Sequence, residues 1–219
     1  EIYKQLSLQF DENGQLLPFA EDGQVVHVLS YDEKPGIQAT ANTSEDLPPD
    51  ENHSNINRDY EYKRLGTVAL IAGIDLQTGE AIPLVRDRHS SKEYIEFLSL
   101  LDAKYPKGDK IRLVLDNLKV HTSEETRKYL AKVPGRFEFV FTPKHGSWLN
   151  LVEGFFSKLT RQFLKGIRVK TKEELVERIY KYFDEVNADP VVYHWKYKLE
   201  EIDPREEIQV EKLPLKKSS

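Results

Sequence analysis

Three carboxylates in this chain stand where a metal-dependent enzyme would need them. Asp32 follows a mostly apolar, β-branched run at 25–31, and Asp116 follows a second apolar run at 111–115. Groups just past the carboxyl ends of strands line the functional crevice of an open α/β sheet. Glu153 lies in the first turns of a predicted helix, from which it could point towards the same edge. Oxygen ligands suit Mg²⁺ or Mn²⁺, and two such ions would clamp the attacking and leaving oxygens of a phosphodiester.

Each of these acids also has an ordinary structural explanation. An aspartate at a strand end is most often a turn residue or a helix cap, and a glutamate in a first helical turn most often complements the helix dipole. Spacing alone does not choose between Asp32 and its neighbour Glu33. If Asp32 is the ligand, alternation along an extended segment predicts that Glu33 points away from the site. Asn117 and His121 could orient water or phosphate, or could be surface groups.

Composition excludes several other classes of protein. With 219 residues the chain can bury the core of one sizeable domain, and the absence of cysteine excludes disulfides and thiol nucleophiles. The six histidines lack the spacing of a zinc-binding helix, which disfavours a zinc hydrolase. No apolar run approaches the roughly 18 residues needed to span a bilayer, and no signal peptide opens the chain. These features predict a cytoplasmic protein with no membrane partner.

The net charge of −5 argues against non-specific binding of nucleic acid, but the charges are unevenly distributed. From residue 139 to residue 172 the only acidic residue is Glu153. A local basic stripe on an acidic protein can still follow a phosphate backbone, although a solvated helix face is an equally good explanation. The basic residues proposed to contact DNA are Lys158, Arg161, Lys165, Arg168 and Lys170. Arg161, Lys165 and Arg168 lie off the apolar stripe of the predicted helix, so we expect the fold to survive their replacement with alanine.

Apolar periodicity predicts an alternating α/β chain. After the strand at 25–31, a polar tract at 39–60 reads as a long loop, and two apolar runs at 66–74 and 81–85 form a hairpin. Helices are predicted from Ser90 or Ser91 to 104, from Ser123 to about 133, from Ser147 to 165 and from Thr171 to 187, with strands at 111–115 and 137–141. Antiparallel strands followed by α/β units predict a mixed sheet with helices on both faces.

Three ordered motifs resemble one enzyme family. Residues 32–38 read DEKPGIQ, residues 115–121 read LDNLKVH, and residues 141–156 read FTPKHGSWLNLVEGFF. They are similar to the three catalytic segments of the IS630 group of the IS630/Tc1/mariner transposases, and 36 residues separate Asp116 from Glu153, close to the family interval. The segments at 60–67 and 193–197 also resemble the family, so the likeness spans about residues 25–200.

The resemblance implies an RNase H-like α/β fold and a DDE site. Asp32, Asp116 and Glu153 would be the catalytic residues and would hold two Mg²⁺ or Mn²⁺ ions. The side chains expected to support these ligands or bind phosphate are Asn117, His121, Lys144 and His145. The implied activity is cut-and-paste transposition of double-stranded DNA, usually into TA dinucleotides, in a bacterial, nucleoid-associated protein, and it is compatible with a homodimer.

The expected organisation is a linker or hairpin at 1–24, the catalytic domain at 25–200 and a charged tail at 201–219. Because the chain opens on Glu1 and has no room for the helix-turn-helix domains that precede the catalytic core in this family, we expect it to be a piece of a longer protein. Two alternatives stay open: another metal-dependent nuclease of the same fold, or a domesticated or redesigned DNA-binding module without catalysis.

Overall fold

The computed structural model describes residues 19–21, 23–49, 51, 54–56, 60–116, 119–141 and 151–191. Within this part of the chain six strands form one sheet: β1 (Phe19–Glu21), β2 (Gln24–Asn42), β3 (Tyr62–Asp75), β4 (Ala81–Arg86), β5 (Lys110–Leu115) and β6 (Phe137–Phe141). The helices are α1 (Ser91–Lys104), α2 (Glu124–Leu130), α3 (Leu151–Leu159) and α4 (Lys172–Ala188). A 3₁₀ turn at Lys119–Thr122 precedes α2, and a π-helical turn at Thr160–Leu164 continues α3.

The sheet is mixed, as predicted, and β2 is its central strand. The order is β4-β3-β2-β5-β6, with β1 paired to the start of β2. Pairing is antiparallel among β2, β3 and β4 and parallel among β2, β5 and β6. The antiparallel half comes from hairpin-type connections, and the parallel half comes from crossovers through helices.

Helices cover both faces of the sheet, which confirms the predicted layering. On one face, α1 and α2 pack over a core built around Tyr31, Phe97 and Leu113. On the other face, α3 and α4 pack over a core that includes Leu70, Phe155 and Phe183. The side chain of Asn187 also pairs with both backbone groups of Ala81 at 2.8 Å each, so α4 is bonded to the edge strand β4.

Strand β2 is much longer than its sequence pattern predicts. We expected it to end at residue 31 and expected a loop from residue 39, but it continues to Asn42. The reason is that its hydrogen bonds to β3 continue through the polar residues, whatever their side chains. The loop therefore occupies 43–61, and its residues 50, 52–53 and 57–59 are outside the described part of the chain.

A bulge in β2 exchanges its two faces. Lys34 pairs with Leu70 and Ile37 pairs with Val68, so two residues of β2 oppose one residue of β3. Gly36 in the bulge has φ 69°, a conformation that glycine adopts without strain. Before the bulge, Tyr31 faces the α1 core, whereas after it Ile37 faces the α3–α4 core.

Side-chain caps start three helices at the predicted places. Ser90 forms a capping box with Glu93, and the hydroxyls of Ser123 and Thr171 accept from the backbone N–H groups of Thr126 and Glu174. Helix α2 ends at Leu130, earlier than predicted, because successive turns replace it ahead of Pro134 and Gly135. The predicted start of α3 at Ser147 lies outside the described residues. No described helix is long and apolar enough to cross a bilayer.

Gly73 of β3 leaves room for an aromatic ring. A Cβ at this position would lie 3.1 Å from Cζ of Phe97 and 3.4 Å from Cδ2 of Leu29. We expect Gly73→Ala to lower the free energy of unfolding by about 1–3 kcal/mol, because the packed core must shift to admit the methyl group. Urea denaturation measures this loss. Gly108→Ala is the control, since nothing lies within 4 Å of its Cβ; equal stability of the two variants would contradict the prediction.

Candidate active site

Asp32 lies inside β2 and faces helix α3. The prediction that it follows a strand is wrong, but it does lie beyond Ser30, the last residue of β2 paired with β5. Asp32 pairs with Ala72 of β3, which belongs to the α3–α4 core, and directly opposed residues of an antiparallel pair share a face. The carboxyl group of Asp32 is therefore on the side of the sheet that α3 covers.

Asp116 follows β5 directly, as predicted, and lies at the same edge of the sheet as Asp32. Strand β5 runs parallel to β2 and is paired with it up to Val114, two residues before Asp116. The Asp116 side chain is 46% exposed, so its carboxylate is open to solvent. Parallel pairing thus brings two acids that are 84 positions apart in the sequence to one place.

Helix α3 is attached to β2 beside these acids. The backbone N–H of Val152 donates to Oγ of Ser30 at 3.3 Å, and both groups are buried. Glu153 is the next residue and is exposed in the first turn of the helix. Ser30 and Asp32 are two residues apart on one strand, so they share a face, and the bond to Ser30 brings Glu153 towards Asp32.

The electrostatics show that the three carboxyl groups interact. Burial, together with the carboxylates of Glu33, Asp116 and Glu153, raises the pKa of Asp32 to about 7, although a hydrogen bond from the Glu33 N–H lowers it in part. Burial and the Asp116 carboxylate also raise the pKa of Glu153. A group of oxygen donors that disfavours its own ionisation fits a hard divalent cation, which would relieve the repulsion.

Glu33 does not point away from these acids, and that prediction is wrong. Ligand atoms of Glu33, Asp116 and His121 all lie within 4.8 Å of one another. Alternation does place Glu33 and Asp32 on opposite faces of β2. Asp116, however, follows the end of β5 and meets side chains from both faces. The alternation of Tyr31 and Glu33 in the sequence could have indicated that Glu33 is on a buried face, but not that it meets His121.

An open groove of about 540 Å³ adjoins the acids between the β2 bulge and helix α3. Its lining combines Glu33 and Glu153 with the basic side chains of Lys34 and Arg161. A second groove of about 280 Å³ shares Lys34, Pro35 and Thr160 with the first and reaches Arg168. Glu153 therefore lies on a groove whose wall also carries the positive charges of Lys34 and Arg161. Lys34 was missed by the sequence analysis because it lies outside the basic tract.

The basic tract is mostly exposed, with one exception. Lys158, Arg161, Lys165 and Lys170 are exposed on α3 and on the segment that follows it. Arg168 is instead half-buried: its guanidinium donates to Oγ1 of Thr40 and to the carbonyl of Ile167, and it lies 5.2 Å from the ring centre of Tyr62. We therefore now expect replacement of Arg168 to lower the stability of the fold, unlike replacement of the exposed residues of the tract.

Four further residues were predicted to support the metal ligands or to bind phosphate. His121 is buried beside Asp116. Asn117, Lys144 and His145 lie outside the described residues.

A family model for DDE superfamily endonucleases matches residues 27–176. This is well over half of the chain, and it includes Asp32, Asp116 and Glu153. The chain belongs to the DDE superfamily endonucleases. The resemblance of its motifs to the IS630/Tc1/mariner transposases is thereby confirmed at the level of the family.

A curated relative points to the same group of DDE proteins. The DDE chain is 26% identical over 113 residues to the insertion element IS630 uncharacterized 39 kDa protein of Shigella sonnei. The aligned part covers 52% of this chain and 33% of that protein. The chain thus spans about a third of the length of the relative it matches.

Solved structures share the fold. The Mos1 mariner paired end complex with Mn has a TM-score of 0.52 at 14% identity, covering 72% of the DDE chain and 48% of the Mos1 chain. The Mos1 strand transfer complex has a TM-score of 0.50 at 15% identity, with 72% and 47% coverage. The predicted RNase H-like fold is confirmed by this likeness.

The raised pKa of Asp32 predicts a pH-dependent stability in the DDE domain. In the folded protein the Asp32 carboxyl group binds its proton more tightly than an exposed aspartate does. Without metal, the free energy of unfolding therefore falls as the pH rises from 3.8 to about 7. Asp32→Asn removes this loss. In a chelator, we expect the melting temperature of Asp32→Asn to exceed that of the wild type at about pH 8 and to approach it at about pH 5.

Asp184 is an exposed carboxylate on α4, and Asp184→Asn is the matched control. Its melting temperature should follow that of the wild type at both pH values. A parallel pH profile for wild type and Asp32→Asn would contradict the raised pKa of Asp32.

Proposed function

We propose that this domain cleaves DNA strands and joins them to new partners, with Asp32, Asp116 and Glu153 holding two Mg²⁺ or Mn²⁺ ions. The proposal is supported by the parallel pairing of β2 with β5 and by the bond from Val152 to Ser30, which bring the backbone segments of these three acids together inside the region that the DDE family model matches. When bound, the divalent cations supply positive charge to the attacking and leaving oxygens of a phosphodiester.

The chain itself contributes positioning. Ser30 holds the start of α3 against β2, which keeps the Glu153 backbone beside Asp32. The side chains of Asp116 and Glu153 are open to solvent, so both can be reached by a substrate. No side chain forms a covalent bond with DNA in this proposal: the acids hold charge and orientation while water, and then a DNA 3′-hydroxyl, acts as the nucleophile.

The path proposed for DNA is the groove beside the acids. Lys34 and Arg161 line it, and exposed Lys158, Lys165 and Lys170 continue the positive charge. Contacts of this kind bind phosphates without reading base sequence. Arg168 is assigned a different role, because it bonds to Thr40 and Ile167 in the wall of the second groove.

The substrates are proposed from the relatives. The Mos1 structures are described as a paired end complex with Mn and a strand transfer complex. By analogy, the double-stranded DNA handled here would be transposon ends and a target, with TA dinucleotides and a homodimer as the arrangement that the family resemblance implies. His121 is proposed to support the ligands, and Asn117, Lys144 and His145 remain predictions for the same role or for phosphate binding.

Asp116→Asn tests the metal site and the chemistry together. We expect Mn²⁺ to raise the melting temperature of the wild type, because it binds the native state, and we expect the variant to lose that rise. Metal-dependent nicking of duplex DNA should fall by more than about 100-fold, beyond what loss of an outer contact costs.

Asp109→Asn is the control, because Asp109 directly precedes β5 and so lies at the opposite end of that strand from Asp116. It should keep the Mn²⁺-induced rise in melting temperature. An unchanged Mn²⁺ response in Asp116→Asn would refute the ligand assignment. DNA binding by the wild type without metal-dependent nicking would favour a module without catalysis.

The salt dependence of DNA binding tests the basic surface. Replacing Lys158, Arg161 and Lys165 with alanine should lower the slope of log affinity against log salt by about two to three units, at about 0.9 per phosphate contact. Arg168 is left unchanged because it supports the fold. The control replaces three exposed lysines elsewhere, Lys107, Lys128 and Lys132. Equal slopes for the two triple variants would show that the tract is only a solvated surface.

A further inference from the structure

A buried polar cluster lies beneath Asp116. The side chains of His121 and Glu33 are 1% and 4% exposed, and Tyr31 is fully buried. The Tyr31 hydroxyl donates to Oε1 of Glu33 at 2.7 Å, and Nε2 of His121 lies 3.3 Å from the same oxygen. On its other side, Nδ1 of His121 is 3.0 Å from the backbone carbonyl of Asp116. The cluster thus connects β2 to the residue that follows β5.

Counting hydrogens determines how the cluster is bonded. The Asp116 carbonyl can only accept, so Nδ1 of His121 must carry the proton that it donates. The contact between Nε2 and Glu33 then needs one further proton, held by either group. Both arrangements leave the same continuous chain of hydrogen bonds, from the Tyr31 hydroxyl through Glu33 and His121 to the backbone of Asp116.

Asp116 is the first residue beyond the sheet, since the pairing of β5 with β6 ends at Leu115. The pairing of β5 with β2 ends at Val114. The ring of His121, from the 3₁₀ turn, is held by the rings of Tyr94 and Tyr31, with centroids 4.7 and 5.4 Å away. The His121 ring therefore has a fixed place from which to bond the Asp116 carbonyl.

Glu33 is poorly placed to be a metal ligand itself. Its Oε1 already accepts from Tyr31 and meets His121, and its Oε2 is buried with no hydrogen-bond partner among the described residues. The contrast is with Asp116, whose carboxylate is open to solvent. A carboxylate enclosed in this way acts on its neighbours rather than on an incoming phosphodiester.

We propose that Glu33 and His121 are positioning residues that fix Asp116 for metal binding, and that Glu33 is not itself a ligand. This inference rests on the proposed metal site of Asp32, Asp116 and Glu153. Groups that hold a metal ligand from behind commonly change metal affinity by about 10- to 100-fold when they are removed.

Calorimetric titration with Mn²⁺ alone tests this inference. Glu33→Gln can keep both contacts by placing its amide nitrogen at the Oε1 position, where it would donate to Nε2 of His121 and to the Tyr31 oxygen. We expect its Mn²⁺ affinity to stay within about threefold of the wild type, while Glu33→Ala and His121→Ala bind about 10- to 100-fold more weakly. If Glu33 were a ligand, the glutamine and alanine variants would lose affinity alike, and that result would overturn the proposal.

The control is the other histidine–carboxylate pair beside β5. Nε2 of His27 lies 2.8 Å from Asp109, and the His27 ring stacks on Tyr105 with centroids 4.2 Å apart. His27→Ala removes a comparable pair at the opposite end of the strand, so it should lower stability and leave Mn²⁺ affinity unchanged. Weaker Mn²⁺ binding by this variant to the same extent would show a general effect of stability, and would also overturn the proposal.

Hydrogen–deuterium exchange of the metal-free protein separates this inference from the proposed function. Glu33→Ala should speed amide exchange in the segment around Asp116, whereas Glu33→Gln should not. A wild type that binds no Mn²⁺ would refute the proposed metal site alone. Unchanged exchange in Glu33→Ala would refute the positioning role whatever the metal does. If the alanine variants fail to fold, the glutamine variant still decides whether Glu33 is a ligand, and His121→Asn, which keeps a donor at the Nδ1 position, decides whether the bond to Asp116 matters.

Discussion

The site depends on the hydrogen bonding of β2 along both of its edges. This strand pairs with β3 from Leu29 to Asn42 and with β5 from Val26 to Ser30. Every acid near the site is placed relative to it: Asp32 and Glu33 are part of it, Asp116 follows its parallel neighbour, and Glu153 follows the residue that bonds to Ser30. Because both faces of the strand are covered by helices, its position is determined by two hydrophobic cores as well as by backbone bonds.

Bringing several carboxylates together has a free-energy cost, and the rest of the fold offsets it. Repulsion and burial both act against ionised Asp32, as its raised pKa shows. The large buried side chains on either side of the sheet, such as Phe97 and Phe183, contribute the stabilisation that holds the acids in place. The result is a site whose electrostatics are unfavourable but whose backbone is held in place by the fold, and a bound cation would stabilise such a site.

The sequence predicted those features that depend on local pattern. The hairpin of β3 and β4, strand β6 and the capped start of α1 were all recoverable because apolar periodicity and cap residues mark them. The three motifs led to the correct family, and all three lie inside the segment that the family model matches.

Features that depend on partners distant in the sequence could not be predicted. Asp32, Glu33 and Lys34 read as the polar end of a strand, yet the strand continues through them because β3 bonds to it. The contact of Glu33 with His121 joins residues 88 positions apart. The bonds of Arg168 to Thr40 cross 128 positions, so a residue that resembled the other exposed cations in the sequence is half-buried in the fold. Such contacts come from the three-dimensional arrangement and leave no local pattern.

The bulge at Pro35 and Gly36 divides β2 into an inner segment and an outer segment. The first segment carries the acids, and the second leads to the loop between β2 and β3. The outer segment is paired with β3 from Ile37 to Asn42, so a paired stretch of strand separates Asp32 from the loop at 43–61. A change of length within that loop therefore leaves the inner segment, which carries the acids, in its own register with β3.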